Sequence, residues 1–157
     1  MTNNDILRRI RYVFDINDSN MIKIFGLAAY RVTREQISDW LKKEDDPAYQ
    51  KCSDAKFAIF LNGLINSKRG KKEGAQPEPE KRLTNNIIFT KLKIALNLKA
   101  EDICEIMTLA NFPIGKPELS AFFRRPDHKH YRECKDQILR NFLKGAQLRY
   151  RANSEDI

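Results

Sequence analysis

Four side chains of metal-binding or acid–base type lie close together late in the sequence: Asp127, His128, His130 and Cys134. Imidazole, thiolate and carboxylate groups bind zinc in proteins, and a structural zinc site normally uses four of them. The spacing matches neither Cys-x-x-Cys nor His-Glu-x-x-His, and Cys134 falls on the apolar stripe of a predicted helix. We therefore predict no bound metal and no cofactor. Metal or small-molecule binding by residues 127–134 stays open as a third hypothesis.

The remaining reactive residues show no spacing that is typical of catalysis. The sequence has no glycine-rich loop that would cradle a phosphate and no Gly-x-Ser-x-Gly turn that would present a nucleophilic serine. Both histidines lie on a predicted loop. We predict that the protein is not an enzyme.

Basic residues form several clusters in a chain whose net charge is +8. A positive field attracts polyanions without specifying one, so DNA and RNA are both candidate partners. Solvated helix faces and a solubilising linker explain most of the same residues without a ligand, and Arg124 and Arg125, beside Phe122 and Phe123 at a helix end, are the exception. The candidate nucleic-acid-binding residues are Arg8, Arg9, Arg11, Arg34, Lys116, Arg124, Arg125 and Lys129.

These residues belong to a sequence that occurs twice. Residues 2–67 align without a gap on residues 84–149, and pairs such as Asn4/Asn86 and Gly63/Gly145 are identical. A gapless match requires equal helix and loop lengths in both copies. It therefore indicates one small domain that has been duplicated.

Apolar residues recur with the period of an α-helix in each copy. Ile6, Leu7, Ile10, Val13 and Phe14 share one helix face, and no segment alternates with the period of a strand. The pattern predicts four helices in each copy. We expect an all-α protein of two homologous four-helix units, packed with pseudo-two-fold symmetry.

Several residue types predict where these helices begin. Residues 2–4 and 84–86, Thr-Asn-Asn in both copies, are of the types found at helix N-caps, and residues 33–36 read as a capping box. The fourth helix is expected to begin near Tyr49 in the first copy and near Tyr131 in the second.

Glycines at equivalent positions of the fourth helices predict close contact with another backbone. Gly63 and Gly145 lie inside the helical pattern, where glycine costs about 1 kcal/mol relative to alanine. We prefer the contact between the two copies as the place of this approach. Packing within each copy is the alternative.

The second and third helices resemble a helix-turn-helix in the spacing of their apolar residues. The charges on the outer side of the third helix are mixed in the first copy, and the usual glycine of the turn is absent. Two helices joined by a short turn also occur in any compact helical unit. The outward positions are predicted to be Arg34, Glu35, Ser38, Asp39 and Lys42, and in the second copy Lys116, Glu118, Ala121 and Arg125.

Composition divides the chain into four parts. A first helical repeat is expected at 1–67, a second at 83–151, and between them a basic linker with Pro and Gly at 68–82. Residues 152–157 form a polar tail. Three cysteines without a close pair, no export signal and no apolar span predict a cytoplasmic protein without membrane contact.

Two stretches resemble the bacterial YehS family. They are residues 3–12, Asn-Asn-Asp-Ile-Leu-Arg-Arg-Ile-Arg-Tyr, and residues 119–145, which include Phe-Phe-Arg-Arg-Pro-Asp-His. The resemblance covers essentially the whole chain. It implies two tandem copies of a helical domain of unknown function in a cytosolic bacterial protein. It brings no established activity and no catalytic residues.

The leading hypothesis for function is a non-enzymatic protein that associates with nucleic acid or acts in regulation through basic helix faces. The alternative is a protein–protein adaptor or homodimer that contacts no nucleic acid and presents apolar helix faces to a partner. Strong dependence of binding on salt would favour the first hypothesis, because phosphate contacts release counterions.

Overall fold

Each copy of the repeat forms its own helical unit in the computed structural model, which describes residues 1–151. The units comprise Met1–Leu83 and Thr84–Ile157. Within the described residues the chain forms eight α-helices and a π-helical turn, with no strand, so the predicted all-α class is confirmed. The polar tail predicted at 152–157 lies outside the described residues.

The helices of unit one are α1 (Asn3–Val13), α2 (Asp18–Leu27), α3 (Arg34–Leu41) and α4 (Asp54–Arg69). Those of unit two are α5 (Asn85–Ala95), α6 (Ala100–Leu109), α7 (Lys116–Phe122) and α8 (Asp136–Ala146). The π-helical turn Gln147–Arg151 follows α8 directly. None of these helices has the length and apolar character needed to cross a membrane.

Aromatic side chains fill the core of each unit. Phe25 of α2 lies between Trp40 and Phe60, with ring centroids 5.5 and 5.4 Å away. In unit two the rings of Phe89 and Phe142 are 4.7 Å apart. Such pairs add to the hydrophobic gain of burial, which drives the packing of these short helices.

The helix ends follow local sequence rules. Thr33 and Gln36 form the predicted capping box at the start of α3. The turn after α2 has Ala29 in the left-handed region, at φ 60°, and the N–H of Tyr30 donates to the carbonyl of Phe25. This is a Schellman ending in which alanine takes the place usually held by glycine.

Two adjacent asparagines at the start of α1 hold a distant segment of chain. Thr2 is the residue that caps the helix. The Asn4 side chain, 1% exposed, donates to the carbonyls of Trp40 (2.9 Å) and Gln50 (2.8 Å) and accepts from the N–H of Cys52 (3.0 Å). Asn3 donates to the Cys52 carbonyl as well. The capping role expected for these asparagines is therefore wrong.

Unit two repeats this arrangement. Asn86 donates to the carbonyls of Phe122 (3.0 Å) and Arg132 (2.8 Å) and accepts from the N–H of Cys134 (2.9 Å). Asn85 donates to the Cys134 carbonyl. The same three bonds, two of them buried and one part-buried, thus tie the end of the third helix and the segment after it to the first helix of each unit.

These hydrogen bonds explain why the fourth helix begins later than its apolar stripe predicts. Helix α4 begins at Asp54 and α8 at Asp136, five residues beyond Tyr49 and Tyr131. The backbone groups of the intervening segment bond to the asparagine amides instead of to a helical turn. The sequence expectation for this helix start is wrong in both copies.

The paired glycines mark close contacts inside each unit. A methyl group on Gly63 would lie 1.9 Å from the carbonyl oxygen of Ile24, and one on Gly145 would lie 2.0 Å from that of Ile106. Helices α2 and α4, and likewise α6 and α8, approach closely at these points. The contact between copies that we preferred for these glycines is therefore wrong, and packing within each copy is correct.

Part of the segment that follows α4 is held against unit one. The Gln76 side chain donates to the Lys72 carbonyl (2.9 Å) and accepts from the Asn66 amide (3.1 Å). The N–H of Leu83 donates to the Asp54 carboxylate (2.9 Å). Several polar contacts thus anchor this segment without a helix of its own.

Replacing Asn86 with alanine is expected to destabilise unit two strongly. Each buried backbone group that loses its partner costs about 1–3 kcal/mol, and two buried groups and one part-buried carbonyl are affected, so we expect a decrease of about 2 kcal/mol or more in the free energy of unfolding. Urea denaturation followed by circular dichroism measures it. Asn141→Ala, which removes one bond within a helix turn, is the matched control. A decrease for Asn86→Ala no greater than for this control would contradict the assignment.

Alanine at the two buried glycines should also destabilise the protein, because the added methyl group meets backbone atoms that cannot move freely. We expect Gly63→Ala and Gly145→Ala each to cost about 1–3 kcal/mol, as overpacking does. Gly26→Ala is the control, since nothing lies within 4 Å of its added methyl group. That variant should gain up to about 1 kcal/mol in helix propensity. Thermal unfolding distinguishes the opposite signs.

Candidate nucleic-acid interface

A basic surface of unit two follows helix α7. Residues 124–130, here named the basic turn, are all exposed. Backbone hydrogen bonds shape it: the N–H of His128 donates to the Arg125 carbonyl, and the N–H of Tyr131 donates to the His128 carbonyl, both at 2.9 Å. The His128 ring accepts from the N–H of His130 at 3.0 Å. The turn is thus an ordered platform for its charged side chains.

The same seven positions of unit one carry the opposite charge. Residues 42–48 hold two lysines against one glutamate and two aspartates, a net charge of −1. The basic turn holds two arginines and one lysine against one aspartate, a net charge of +2 with both histidines neutral. The two segments form the same backbone hydrogen bonds, so they differ in the charge of their side chains and not in the shape of the turn.

Cations of the basic turn make only weak contacts with their neighbours. Arg124 lies 3.3 Å from the His128 ring, and Arg125 lies 3.5 Å from the Asp127 carboxylate. The Arg125–Asp127 pair is 86% and 74% exposed. Exposed ion pairs of this kind contribute little, so both arginines can exchange these contacts for a ligand.

Lys116 lies at the first position of α7, apart from the turn. Its ammonium is 2.8 Å from the Glu101 carboxylate, and both side chains are more than half exposed. The hydrogen bond to Glu101 raises the pKa of Lys116 above its usual value. Lys116 is therefore a charged surface residue with a solvated partner.

The candidate cations of unit one are engaged by neighbours in the same unit. Arg8 donates to the Lys42 carbonyl (2.8 Å) and pairs with Asp5. Arg11 and Arg34 lie 3.6 and 3.9 Å from the Asp18 carboxylate.

Arg34 also donates to the Ser19 hydroxyl, at 2.8 Å. Arg9 is half-buried on α1. The eight candidate residues are divided equally between the units: four lie on unit one, where three pair with carboxylates, and four lie on unit two, where two do so.

The short third helices differ from the predicted recognition helix. Six residues, 28–33, separate α2 from α3, whereas helix-turn-helix motifs use turns of about three to four residues. Helix α7 spans only seven residues. Ala121, expected on its outer side, is buried at 6% exposure, so that expectation is wrong. The helix-turn-helix interpretation stays a prediction.

An open cleft of about 360 Å³ adjoins the basic turn. Sequence reasoning did not find it, although the exchange of Asp18 for Ala100 at aligned positions was visible. The ammonium of Lys93 lies 5.1 Å from the centre of the Phe123 ring. The cleft is lined by Lys93, Ala100, Leu119, Ser120, Phe123 and Arg124.

The metal-ligand types near residue 130 are not gathered into one site. Asp127, His128 and His130 are exposed on the turn, whereas Cys134 is 1% exposed. Burial, with a smaller effect of the Asp136 charge, raises the pKa of the Cys134 thiol to about 12. Within residues 1–151, no group of three or more His, Cys, Asp or Glu residues is placed to hold a metal ion.

Comparison with known proteins relates both units to one family. The family described as "Protein of unknown function (DUF1456)" matches residues 3–70 and 85–152. The chain is 48% identical over 150 residues to "Uncharacterized protein YehS" of Escherichia coli (strain K12), an alignment that covers 95% of this chain and 96% of that protein. No solved structure matches the chain. The resemblance noted from the sequence is thus confirmed, and the chain belongs to the DUF1456 family, of which it holds two tandem copies.

Proposed function

We propose that this protein is a non-enzymatic nucleic-acid-binding protein of the cytoplasm and that unit two makes the contact. The observation that carries the proposal is the charge difference between the repeats: the basic turn has a net charge of +2 where residues 42–48 have −1. The binding surface consists of Lys116, Arg124, Arg125 and Lys129.

Phosphate contacts supply most of the affinity in sequence-independent binding to nucleic acid. Each cation that meets a phosphate releases condensed counterions, so affinity falls as salt rises. Arg125 and Lys129 are exposed on the basic turn and can reach a backbone without unfolding any helix. A turn of this kind contacts phosphates and carries no base-specific readout by itself.

Unit one is less suited to the same role. Its arginines at positions 11 and 34 share the carboxylate of Asp18, and Lys42 pairs with Asp39 at 2.7 Å. A phosphate approaching this surface would meet Glu44, Asp45 and Asp46 as well. Like charges facing each other oppose association, so unit one should contribute little to the affinity.

Neutralising two cations of the basic turn is expected to weaken binding to nucleic acid and to lower its salt dependence. For Arg125→Gln/Lys129→Gln, the slope of log affinity against log salt on duplex DNA should become shallower by about 0.9 for each phosphate that the variant no longer neutralises. Fluorescence anisotropy of a labelled short duplex DNA and of a single-stranded RNA, titrated at several salt concentrations, measures both quantities.

Lys71→Gln/Lys72→Gln is the matched control, because it removes the same charge from exposed residues that follow α4. Its affinity and slope should stay close to those of the wild type. Equal decreases in the two double variants would show attraction by net charge alone, and would refute the assigned surface. No binding by the wild type even at low salt would refute the function.

A further inference from the structure

The cleft beside the basic turn brings together two cations, a hydroxyl and an aromatic ring. Lys93 reaches it from α5, Ser120 from α7, and Phe123 and Arg124 from the residues directly after α7. Phe123 is half-buried, and its ring packs on Phe89 with centroids 5.1 Å apart. A fixed aromatic ring therefore lies beside two cations and a hydroxyl.

In unit one, the cation at the position of Lys93 is paired with a carboxylate. Arg11, which aligns with Lys93, lies 3.6 Å from the carboxylate of Asp18. In unit two the residue that aligns with Asp18 is Ala100, which lines the cleft. Unit two therefore has a cation at this position, Lys93, but no carboxylate at the position of its partner.

The second cation shows the same exchange. Lys42, which aligns with Arg124, pairs with Asp39 at 2.7 Å. In unit two the residue that aligns with Asp39 is Ala121. Within residues 1–151, neither cation of the cleft forms an ion pair with a carboxylate; Lys93 lies over the Phe123 ring and Arg124 beside His128.

From these contacts we infer that the cleft binds a nucleoside phosphate unit, with the phosphate at Lys93 and Arg124 and the base against the Phe123 ring. The inference rests on the proposed function, in which that unit is part of a nucleic-acid strand. A free mononucleotide has the same chemistry and is the second source of such a unit.

Each part of the cleft matches one part of this ligand. A guanidinium donates two parallel hydrogen bonds to a phosphate, an ammonium adds a compact charge, and the Ser120 hydroxyl supplies a further donor. Aromatic rings stack bases of any sequence. A volume of about 360 Å³ falls in the range of small-molecule sites.

Stacking on Phe123 requires a base that is free of its pairing partner. The cleft therefore favours single-stranded over duplex nucleic acid, since bases within a duplex are stacked on one another and their faces are covered. Unit one has Leu41 at the position of Phe123 and so lacks the ring as well as the unpaired cations.

To test the inference, Ala100 of unit two is replaced by aspartate, the residue that unit one has at the aligned position 18. Ala100→Asp places the carboxylate at the first residue of α6, where an acidic side chain favours the helix, so the variant should fold. We expect about tenfold weaker binding of a labelled single-stranded oligonucleotide, the effect of losing one charged hydrogen bond. The binding of AMP, measured by calorimetric titration, should be weakened by Ala100→Asp in parallel. Inorganic phosphate should bind the wild type more weakly than AMP does.

Two controls separate the carboxylate at the cleft from other effects. Ala100→Asn introduces a side chain of the same size without the charge. Gln137→Glu adds the same charge at an exposed position in the first turn of α8. Gln137→Glu should bind the oligonucleotide as the wild type does, and Ala100→Asn should weaken binding clearly less than Ala100→Asp does.

A second variant tests the ring. Phe123→Leu introduces the residue that unit one has at this position, Leu41. It should weaken binding of the single-stranded oligonucleotide by about fivefold or more, and weaken binding of a duplex less. Circular dichroism should show that helix content is kept in every variant.

The outcomes distinguish this inference from the proposed function. If oligonucleotides bind the wild type and neither Ala100→Asp nor Phe123→Leu weakens them, the inference is overturned and the proposed function stands. If AMP binds and Ala100→Asp abolishes it, but no oligonucleotide binds, the cleft is supported as a free-nucleotide site and the proposed function is overturned. If no probe binds the wild type, both are overturned.

Discussion

The buried carboxamides of Asn4 and Asn86 hold each unit in its shape. Each lies within one turn of the start of its unit's first helix and bonds to a residue in the last turn of the third helix and to two residues of the segment beyond. Only an amide side chain offers two donors and an acceptor in one plane, so neither aspartate nor leucine could replace it. In unit two the carbonyls of Phe122 and Arg132 flank the basic turn. The bonds of one asparagine therefore hold both ends of the basic turn.

Local sequence patterns predicted the helices of the fold. They failed where contacts between residues distant in sequence determine the backbone conformation. Helical periodicity, the Thr33 capping box and the gapless repeat were sufficient for the all-α class and for α1 to α3 and their counterparts. The apolar stripe placed Tyr49 in the fourth helix because it records which residues are buried. Backbone bonds to Asn4, which is distant in sequence, keep this segment out of the helix, and no local pattern reports them.

The sequence predicted which residues could contact nucleic acid, but it did not predict which of them lie together on one surface. All eight cations were identified from their type, but their types do not show which ones have acidic neighbours. Arg11 differs from Arg124 through its contact with Asp18, which only the arrangement of α1 and α2 reveals. The exchange of Asp18 for Ala100 was readable from the aligned copies. Its meaning required knowing that the first and second helices place Arg11 and Asp18 together.

The energetics of these interactions explain which positions the two copies share. Removing the Asn4 bonds or disrupting the close packing at Gly63 would each cost at least about 1–3 kcal/mol, a large share of the stability of so small a unit, and both residues are identical in the other copy. An ion pair such as Arg11–Asp18, about 40% exposed, contributes about 1 kcal/mol or less. Its carboxylate can be replaced at little cost in stability, while the unmatched charge it leaves acts on any anion within a Debye length of about 8 Å. A duplicated domain can therefore acquire a binding surface at such positions while its core remains the same.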